Sequence, residues 1–241
     1  MQIPAILSTV SRSAKLVILG ALVVASAQAQ IVLNSVDRGR YSSAGTHVLE
    51  DYDSYAVGNI GLFSFRNFAV FDTSSITDTV ISASLRYYLP QGSFSSWSGS
   101  ETFSVFDVNT SISALSAFQI NATNIYNDLG SGTLFGSATI TWADQGSYVE
   151  IALNNAFLSY LEGAPDIFAV GGALTSAAFG ETAYIFSGTG NPEDGRTQLV
   201  LWTQPSQGNV PVPEPSTYGL IGAGVLLAGI ALRRRFAARK A

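Results

Sequence analysis

The chain of 241 residues has no cysteine, a single histidine (His47) and one methionine, the first residue. Without thiols there is no disulfide framework, no thiolate nucleophile and no cysteine-built zinc site, and one histidine leaves little from which to assemble a His-rich one. Positive charge is scarce as well, with 12 Lys and Arg against 17 Asp and Glu. Two of those basic residues, Arg12 and Lys15, lie near the start, and Arg233, Arg234, Arg235, Arg239 and Lys240 lie at the end. The stretch between keeps only Arg38, Arg40, Arg66, Arg86 and Arg196 against all 17 acids, a net charge of about −12. A nucleic-acid face is not expected, because phosphate contacts need Lys and Arg. An acidic, lysine-free surface suits solubility outside the cell; it could attract cations, with a purely solubilising surface as the plainer reading.

Long apolar runs are confined to the two ends. Residues 16–25 follow Arg12 and Lys15 as an uncharged core, and Ala27-Gln28-Ala29 offers small residues where a signal peptidase reads. Residues 1–29 read as a signal peptide, cut between Ala29 and Gln30. At the other end, residues 218–232 carry no charge. As a helix they measure about 22 Å, against a hydrocarbon core of about 30 Å that asks for about 20 residues. Tyr218 at one interface and snorkelling arginines at the other make up the difference, so the span reads as a single transmembrane helix. Positive-inside bias places the basic tail, residues 233–241, in the cytoplasm. Prolines 211, 213 and 215 lie in a linker, residues 205–217, that detaches the span from what precedes it. A cleaved start outside and a basic end inside make one type I topology.

Val212-Pro213-Glu214-Pro215-Ser216-Thr217, the short apolar span and the basic tail resemble the PEP-CTERM sorting signal of exported bacterial proteins. The resemblance implies that an exosortase, a membrane enzyme, recognises Pro213, Glu214 and Pro215 and removes or exchanges the tail. It also implies a Gram-negative bacterium that makes exopolysaccharide.

Between residues 31 and 204, short runs rich in Val, Ile, Phe, Tyr and Thr are separated by Gly, Ser, Asn and Asp clusters. Strands are expected over 66–71, 80–88, 102–108, 133–141, 148–153, 167–174, 182–186 and 197–203, with a weaker one at 55–57. In 80–88, Ala83, Leu85 and Tyr87 share one face, while Ser84, Arg86 and Tyr88 share the other. About eight or nine short strands suggest one all-β domain, residues 30–204, folded as a jelly-roll-like β-sandwich, with a closed barrel as the rival. Helical turns are expected at 111–115 and 155–161. Asn154 or Asn155 would cap the second and Gly163 would end it, with Phe157 and Tyr160 as lids over the open end of the sandwich. Trp142 and Trp202 sit on strand-like runs and are assigned to the core.

Arg66-Asn67-Phe68-Ala69-Val70-Phe71-Asp72 followed by Val80-Ile81-Ser82-Ala83-Ser84-Leu85-Arg86-Tyr87-Tyr88 looks like the paired strands of DNRLRE-type and carbohydrate-binding-module-like sandwiches. Residues 125–132 and 168–172 look like further pieces of a group of exported PEP-CTERM proteins. The resemblance implies a sandwich and an extracellular setting. It transfers no catalytic residue.

Candidate chemistry is thin. Ser and Asp are plentiful beside His47, yet no Gly-x-Ser-x-Gly turn is present for a nucleophilic serine, and His47 reads as a surface or loop residue. Glu50, Asp51 and Asp53 cluster in one loop and Glu193-Asp194-Gly195 forms another. Hard cations take six to eight oxygens from such loops, so Glu50, Asp51 and Asp53 are candidate calcium ligands, with solvated turn residues as the plain alternative. No spacing singles out two carboxylates as a glycosidase pair. Trp97, in the polar run Ser95-Ser96-Trp97-Ser98-Gly99, is a candidate glycan contact, since packing explains an indole there poorly; Tyr88 is a second option. Arg66 and Asp72 read as structural, an arginine paired to a carboxylate and an aspartate capping the turn after it.

These readings describe an exported, non-enzymatic protein of the cell surface or biofilm matrix, with no cofactor beyond a structural calcium ion. Its partners would be the Sec translocon, signal peptidase, an exosortase and the inner membrane, with transient anchoring there. An extracellular polysaccharide is a further candidate partner, which would make the domain a lectin-like module. A secreted hydrolase is the third alternative.

Overall fold

The run Asn67-Phe68-Ala69-Val70-Phe71 does not alternate apolar with polar, and all five side chains are buried. A strand has two faces, so such a run needs a partner layer on each. The computed structural model, which describes residues 28–47, 54–178, 180–187 and 197–205, supplies both. One face of the strand, with Ala69 and Phe71, meets a second sheet. The other, with Phe68 and Val70, lies under two short helices.

Among the described residues there are eleven strands. Those of the smaller sheet are β1 (Ala29–Asn34), β5 (Thr79–Leu89), β8 (Ser147–Leu153) and β11 (Thr197–Gln204), in the order β1-β11-β5-β8. The larger sheet contains β2 (Asp37–Ser42), β3 (Val57–Ile60), β4 (Phe63–Asp72), β6 (Ser100–Asp107), β7 (Leu134–Thr141), β9 (Ile167–Leu174) and β10 (Ala183–Ile185). Its order is β10-β3-β4-β9-β6-β7, with β2 also paired to β4. Every pairing is antiparallel. Strand accounts for about half of the described residues and far outweighs helix, and the two curled sheets pack as an all-β sandwich. Leu85, Tyr87, Leu89, Ile151, Leu199 and Leu201 of one sheet meet Phe71, Phe103, Val105 and Phe168 of the other.

Among the described residues three α-helices lie outside the sheets: α1 (Ile112–Leu115), α2 (Thr123–Asp128) and α3 (Asn155–Gly163). The first two cover the outer face of the larger sheet, where Leu115, Ile125 and Leu129 pack on Phe68, Val70 and Tyr41. Asn154 caps α3, its side-chain oxygen accepting from the N–H groups of Ala156 and Phe157. That cap directs Phe157 into the core against Phe135 and Phe168. One edge of the sandwich is closed by backbone contact, because a Cβ on Gly136 of β7 would stand 2.3 Å from the carbonyl oxygen of Ala152 on β8. Glycine is required at that approach.

Several expectations are corrected. β1 and β2 were not among the expected strands. The sequence of β2, Asp-Arg-Gly-Arg-Tyr-Ser, is poor in strand formers, and the pairing with β4 over Phe65–Val70 overrides that propensity. The helix α2 was also unforeseen, being a single polar turn and a half. The runs at 66–72 and 80–88, expected to pair, lie in different sheets, since β4 bonds to β2, β3 and β9 while β5 bonds to β11 and β8. Trp142, assigned to the core, begins a single 3₁₀ turn, Trp142–Asp144, and is 55 % exposed. Trp202 is half-buried on β11, on the side away from Leu201.

The register fixes two poles. Ala29 lies opposite Thr203, and Thr203 opposite Val80, so both ends of the domain meet at the start of β5. The eleven residues of β5 carry the sheet about 36 Å to the far pole, at ~3.3 Å per residue. No helix among the described residues is long and apolar enough to cross a membrane. The leader up to Ala27, the acids Glu50, Asp51 and Asp53, the loop at 193–195 and everything from residue 206 onward, the expected span included, lie outside the described residues.

Candidate functional site

The far pole gathers exposed aromatic side chains on a braced set of loops. The last β5–β8 pair is Leu89 with Ser147, and beyond it the Gly146 N–H donates to the Leu89 carbonyl at 2.7 Å. Gln145 ties the loop of residues 90–99 to this turn: its side-chain oxygen accepts from Gly92 N–H at 2.7 Å, and its carbonyl accepts from Gln91 Nε2 at 3.0 Å. Phe94 is buried and anchors the loop, and Ser95 forms a β-bridge with Tyr184. Trp142 rests edge-on against Phe94, centroids 5.5 Å apart. The Asp144 carboxylate fixes the turn carrying Trp142 by accepting from Thr141 N at 2.7 Å and Thr141 Oγ1 at 2.9 Å.

Trp97 stands beside this group and is 87 % exposed. The serines around it hold the loop. Ser96 Oγ donates to Glu101 Oε1 at 2.6 Å and Ser98 Oγ to the Ser100 carbonyl at 2.5 Å. Glu101 is buried at the start of β6 and also accepts from Ser176 Oγ. Gly99, at φ +79°, makes the turn back into β6, a conformation that favours glycine. Because Ser100 pairs with Thr141, Gly99 and Trp142 are neighbours in the extended register, which brings the Trp97 and Trp142 loops to one corner.

The outer face of the smaller sheet continues from that pole. Tyr88 and Tyr148 are cross-strand partners with ring centroids 5.4 Å apart, edge to face. The next row reads Asn34, Gln198, Arg86, Glu150 across four strands. Gln198 Nε2 donates to Asn34 Oδ1 at 3.2 Å, and Arg86 pairs with Glu150 at 2.8 Å. Partial burial pushes the Glu150 carboxyl up, but hydrogen bonds from Ser84 and Arg86 and the guanidinium charge outweigh it and hold the group below its ordinary range.

At the opposite pole, a cavity of about 400 Å³ opens between α3 and the start of β5. Ile76, Val80, Leu158, Leu161 and Leu201 line it, with Asp78, Glu162 and Asp166 around them. Among the described residues no three His, Cys, Asp or Glu side chains are grouped to hold a metal ion.

Other sequence candidates take structural places. His47 does lie in a loop but is 8 % exposed rather than on the surface. Its Nδ1 is 2.9 Å from the Arg40 carbonyl oxygen, and its ring stacks on Tyr41 at 4.9 Å and meets Phe68 edge-on. The imidazole is packing, not a poised base. Among the described residues Arg66 pairs with no carboxylate. Its guanidinium donates to the carbonyls of Tyr126 and Asn127 at 3.0 Å each and lies 4.4 Å from the Tyr126 ring centre, which completes the C-terminal end of α2. Asp72 caps the turn after β4, accepting from Ser74 N–H at 2.9 Å, and hydrogen bonds from Ser74 hold its carboxyl below the usual value. Ala29 and Gln30, flanking the expected cleavage point, are the first two residues of β1, and both are exposed.

The sequence puts Trp97 in a polar loop, as found, but assigns Trp142 beside it to the core. The signal was there, in that Thr141-Trp142-Ala143-Asp144 carries an Asp three residues after a Thr, a capping pattern that ends a strand.

Comparison with curated proteins finds no match to the chain. A family profile, the PEP-CTERM protein-sorting motif, matches residues 211–235, which take in Pro213, Glu214, Pro215, the uncharged span and the first three arginines of the tail. The chain therefore carries a PEP-CTERM sorting signal, the mark of an exported protein that is sorted to the cell surface through exosortase processing.

Proposed function

We propose that this is a non-enzymatic protein of the cell surface or biofilm matrix. In this reading residues 1–29 take it through the Sec translocon and signal peptidase removes them. Residues 218–232 then hold it in the inner membrane until an exosortase acts at Pro213-Glu214-Pro215. The single observation carrying the reading is the sorting motif at 211–235. The domain itself supports it, being acidic and without cysteine, with its last described strand ending at Gln204, ahead of the motif. The fold's kinship we place with jelly-roll-like, DNRLRE and carbohydrate-binding-module-like sandwiches. Intact-mass analysis of the protein recovered from its native host tests the proposal. The expected product starts at Gln30 and lacks the basic tail. Recovery of the unprocessed 241-residue polypeptide from the cytosol would overturn it.

Binding of an extracellular polysaccharide is the second reading, favoured by Trp97 and Trp142 exposed at one corner of the pole opposite Ala29 and Gln204. Indole faces stack on pyranose rings, and Gln91, Gln145 and the loop serines offer hydrogen bonds beside them. Pull-down with the host exopolysaccharide should retain the wild type in high salt and lose it in Trp97→Ala and Trp142→Ala. Equal retention of all three proteins would remove the corner from consideration.

A further inference from the structure

The space between the sheets holds a positive charge that nothing in the fold described so far balances. Arg38 is 8 % exposed, on the β2 position opposite Ala69, a residue of the core between the sheets. Its Nε has no hydrogen-bond partner, and among the described residues it makes no ion pair. Its guanidinium carbon lies 5.6 Å from the centre of the Tyr55 ring, and that ring lies 5.6 Å from the ring of Tyr87. Tyr87 is fully buried, and its hydroxyl also lacks a partner. The same holds for Oγ1 of Thr197, directly across from Tyr87 on β11. Asn67 donates through Nδ2 to the Tyr55 carbonyl at 2.8 Å, while its Oδ1 stays unpartnered.

Buried polar atoms in native proteins are nearly always hydrogen-bonded, and an unpaired buried charge is the costliest exception. Here the orphans surround one pair of tyrosine rings, and three of the four can donate: Arg38 Nε–H, Tyr87 O–H and Thr197 O–H. Burial raises the Tyr87 phenol, so it stays protonated and remains a donor. Water would satisfy the dipoles and leave the charge uncompensated. A carboxylate-bearing metabolite would bring bulk that a packed intersheet space resists.

We propose that a small monovalent inorganic anion of the halide class binds between the two sheets against Arg38 Nε, with the Tyr87 and Thr197 hydroxyls as further donors. The anion neutralises the guanidinium and links the stability of the sandwich to the halide concentration around it. This site is independent of the sorting signal and of the aromatic corner.

The test uses the purified full chain in detergent, with sodium chloride exchanged for sodium gluconate at constant ionic strength. The melting temperature of the wild type should climb with chloride, and that of Arg38→Met should not. Tyr87→Phe, which keeps the ring, should weaken the apparent chloride affinity roughly tenfold, the size of one lost hydrogen bond to an ion. A direct measurement needs no variant: crystals of the wild type grown in sodium bromide should show an anomalous peak within hydrogen-bond distance of Arg38 Nε. No chloride dependence in the wild type, an equal dependence in Arg38→Met, or a carboxylate of Glu50, Asp51 or Asp53 seated on Arg38 in place of bromide would each overturn the assignment.

Discussion

Replacing Asn154 separates two contributions that one side chain makes to the junction of α3 and β7. Its Oδ1 accepts from Ala156 N–H at 2.9 Å and Phe157 N–H at 3.2 Å, and its Nδ2 donates to the Leu134 carbonyl at 2.8 Å. Loss of a helix N-cap costs about 1 kcal/mol, within a range of about 0.5–2. The second bond adds up to about 1 kcal/mol, held to the low end because Asn154 is exposed and water can replace it. Asn154→Ala should therefore destabilise by about 1.5–2 kcal/mol, or roughly 3–8 °C in melting temperature for a domain of this size. Asn154→Ser keeps an oxygen in capping position but loses the reach to Leu134, so it should recover about 1 kcal/mol of the loss. Urea titration followed by tryptophan fluorescence reads both variants, with an unchanged slope confirming that only stability has moved. The reasoning fails if Asn154→Ala matches the wild type within about 0.3 kcal/mol, or if the serine variant is as damaged as the alanine one.

Three further outcomes follow from the geometry. Glu150 has its carboxyl held below the ordinary range, so its contribution is full above the unfolded-state value and lost as pH falls through the lower folded value. Glu150→Gln should thus be less stable than wild type at neutral pH, with the gap closing in acid; a gap constant from pH 7 to pH 3 would refute the pairing. Gly136→Ala places a Cβ 2.3 Å from the Ala152 carbonyl oxygen and should cost about 1–3 kcal/mol by forcing β7 from β8, as read by urea titration. Trp97→Ala, at 87 % exposure, should leave stability within about 0.5 kcal/mol of wild type, so that any change in polysaccharide retention reports contact and not unfolding.

What could be read in the chain, and what could not, follows the source of each residue's constraint. The face of Ala83, Leu85 and Tyr87 was legible because one side of β5 meets the core and the other meets solvent, a difference that alternation records directly. A cap at Asn154 or Asn155 was legible because the pattern is local, and the structure selects Asn154. β2 was not, because its place is set by bonds to β4 and its two arginines and glycine say nothing of strand. Arg66 and Trp142 misled for a related reason. An arginine amid apolar residues suggests a carboxylate, but the end of a helix more than fifty residues later offered two carbonyls. An indole next to a strand-like run suggests burial, but the strand stops one residue before it. The sorting signal needed no tertiary information, since it is one contiguous stretch, residues 211–235.

The register has one consequence for processing that the motif alone does not contain. The first and last strands of the sandwich have their outer ends at the same pole, where Ala29 faces Thr203. A cut between Ala29 and Gln30 shortens β1 by one exposed residue and leaves the pairs from Gln30–Trp202 to Asn34–Gln198 in place. A cut in residues 211–235 falls beyond β11, whose last ladder pair is Gln204 with Thr79. Among the described residues the first cut removes only Gln28 and the exposed Ala29, with the single Ala29–Thr203 pair at the end of the ladder, and the second removes none. Such cuts leave the described core between the sheets whole, so the aromatic corner, about 36 Å away along β5, should keep the same geometry before and after processing. Any ligand of that corner should accordingly bind the unprocessed and the processed chain with equal affinity, and a difference of more than about threefold between them, above the scatter expected for independent sites, would show that the two poles are coupled.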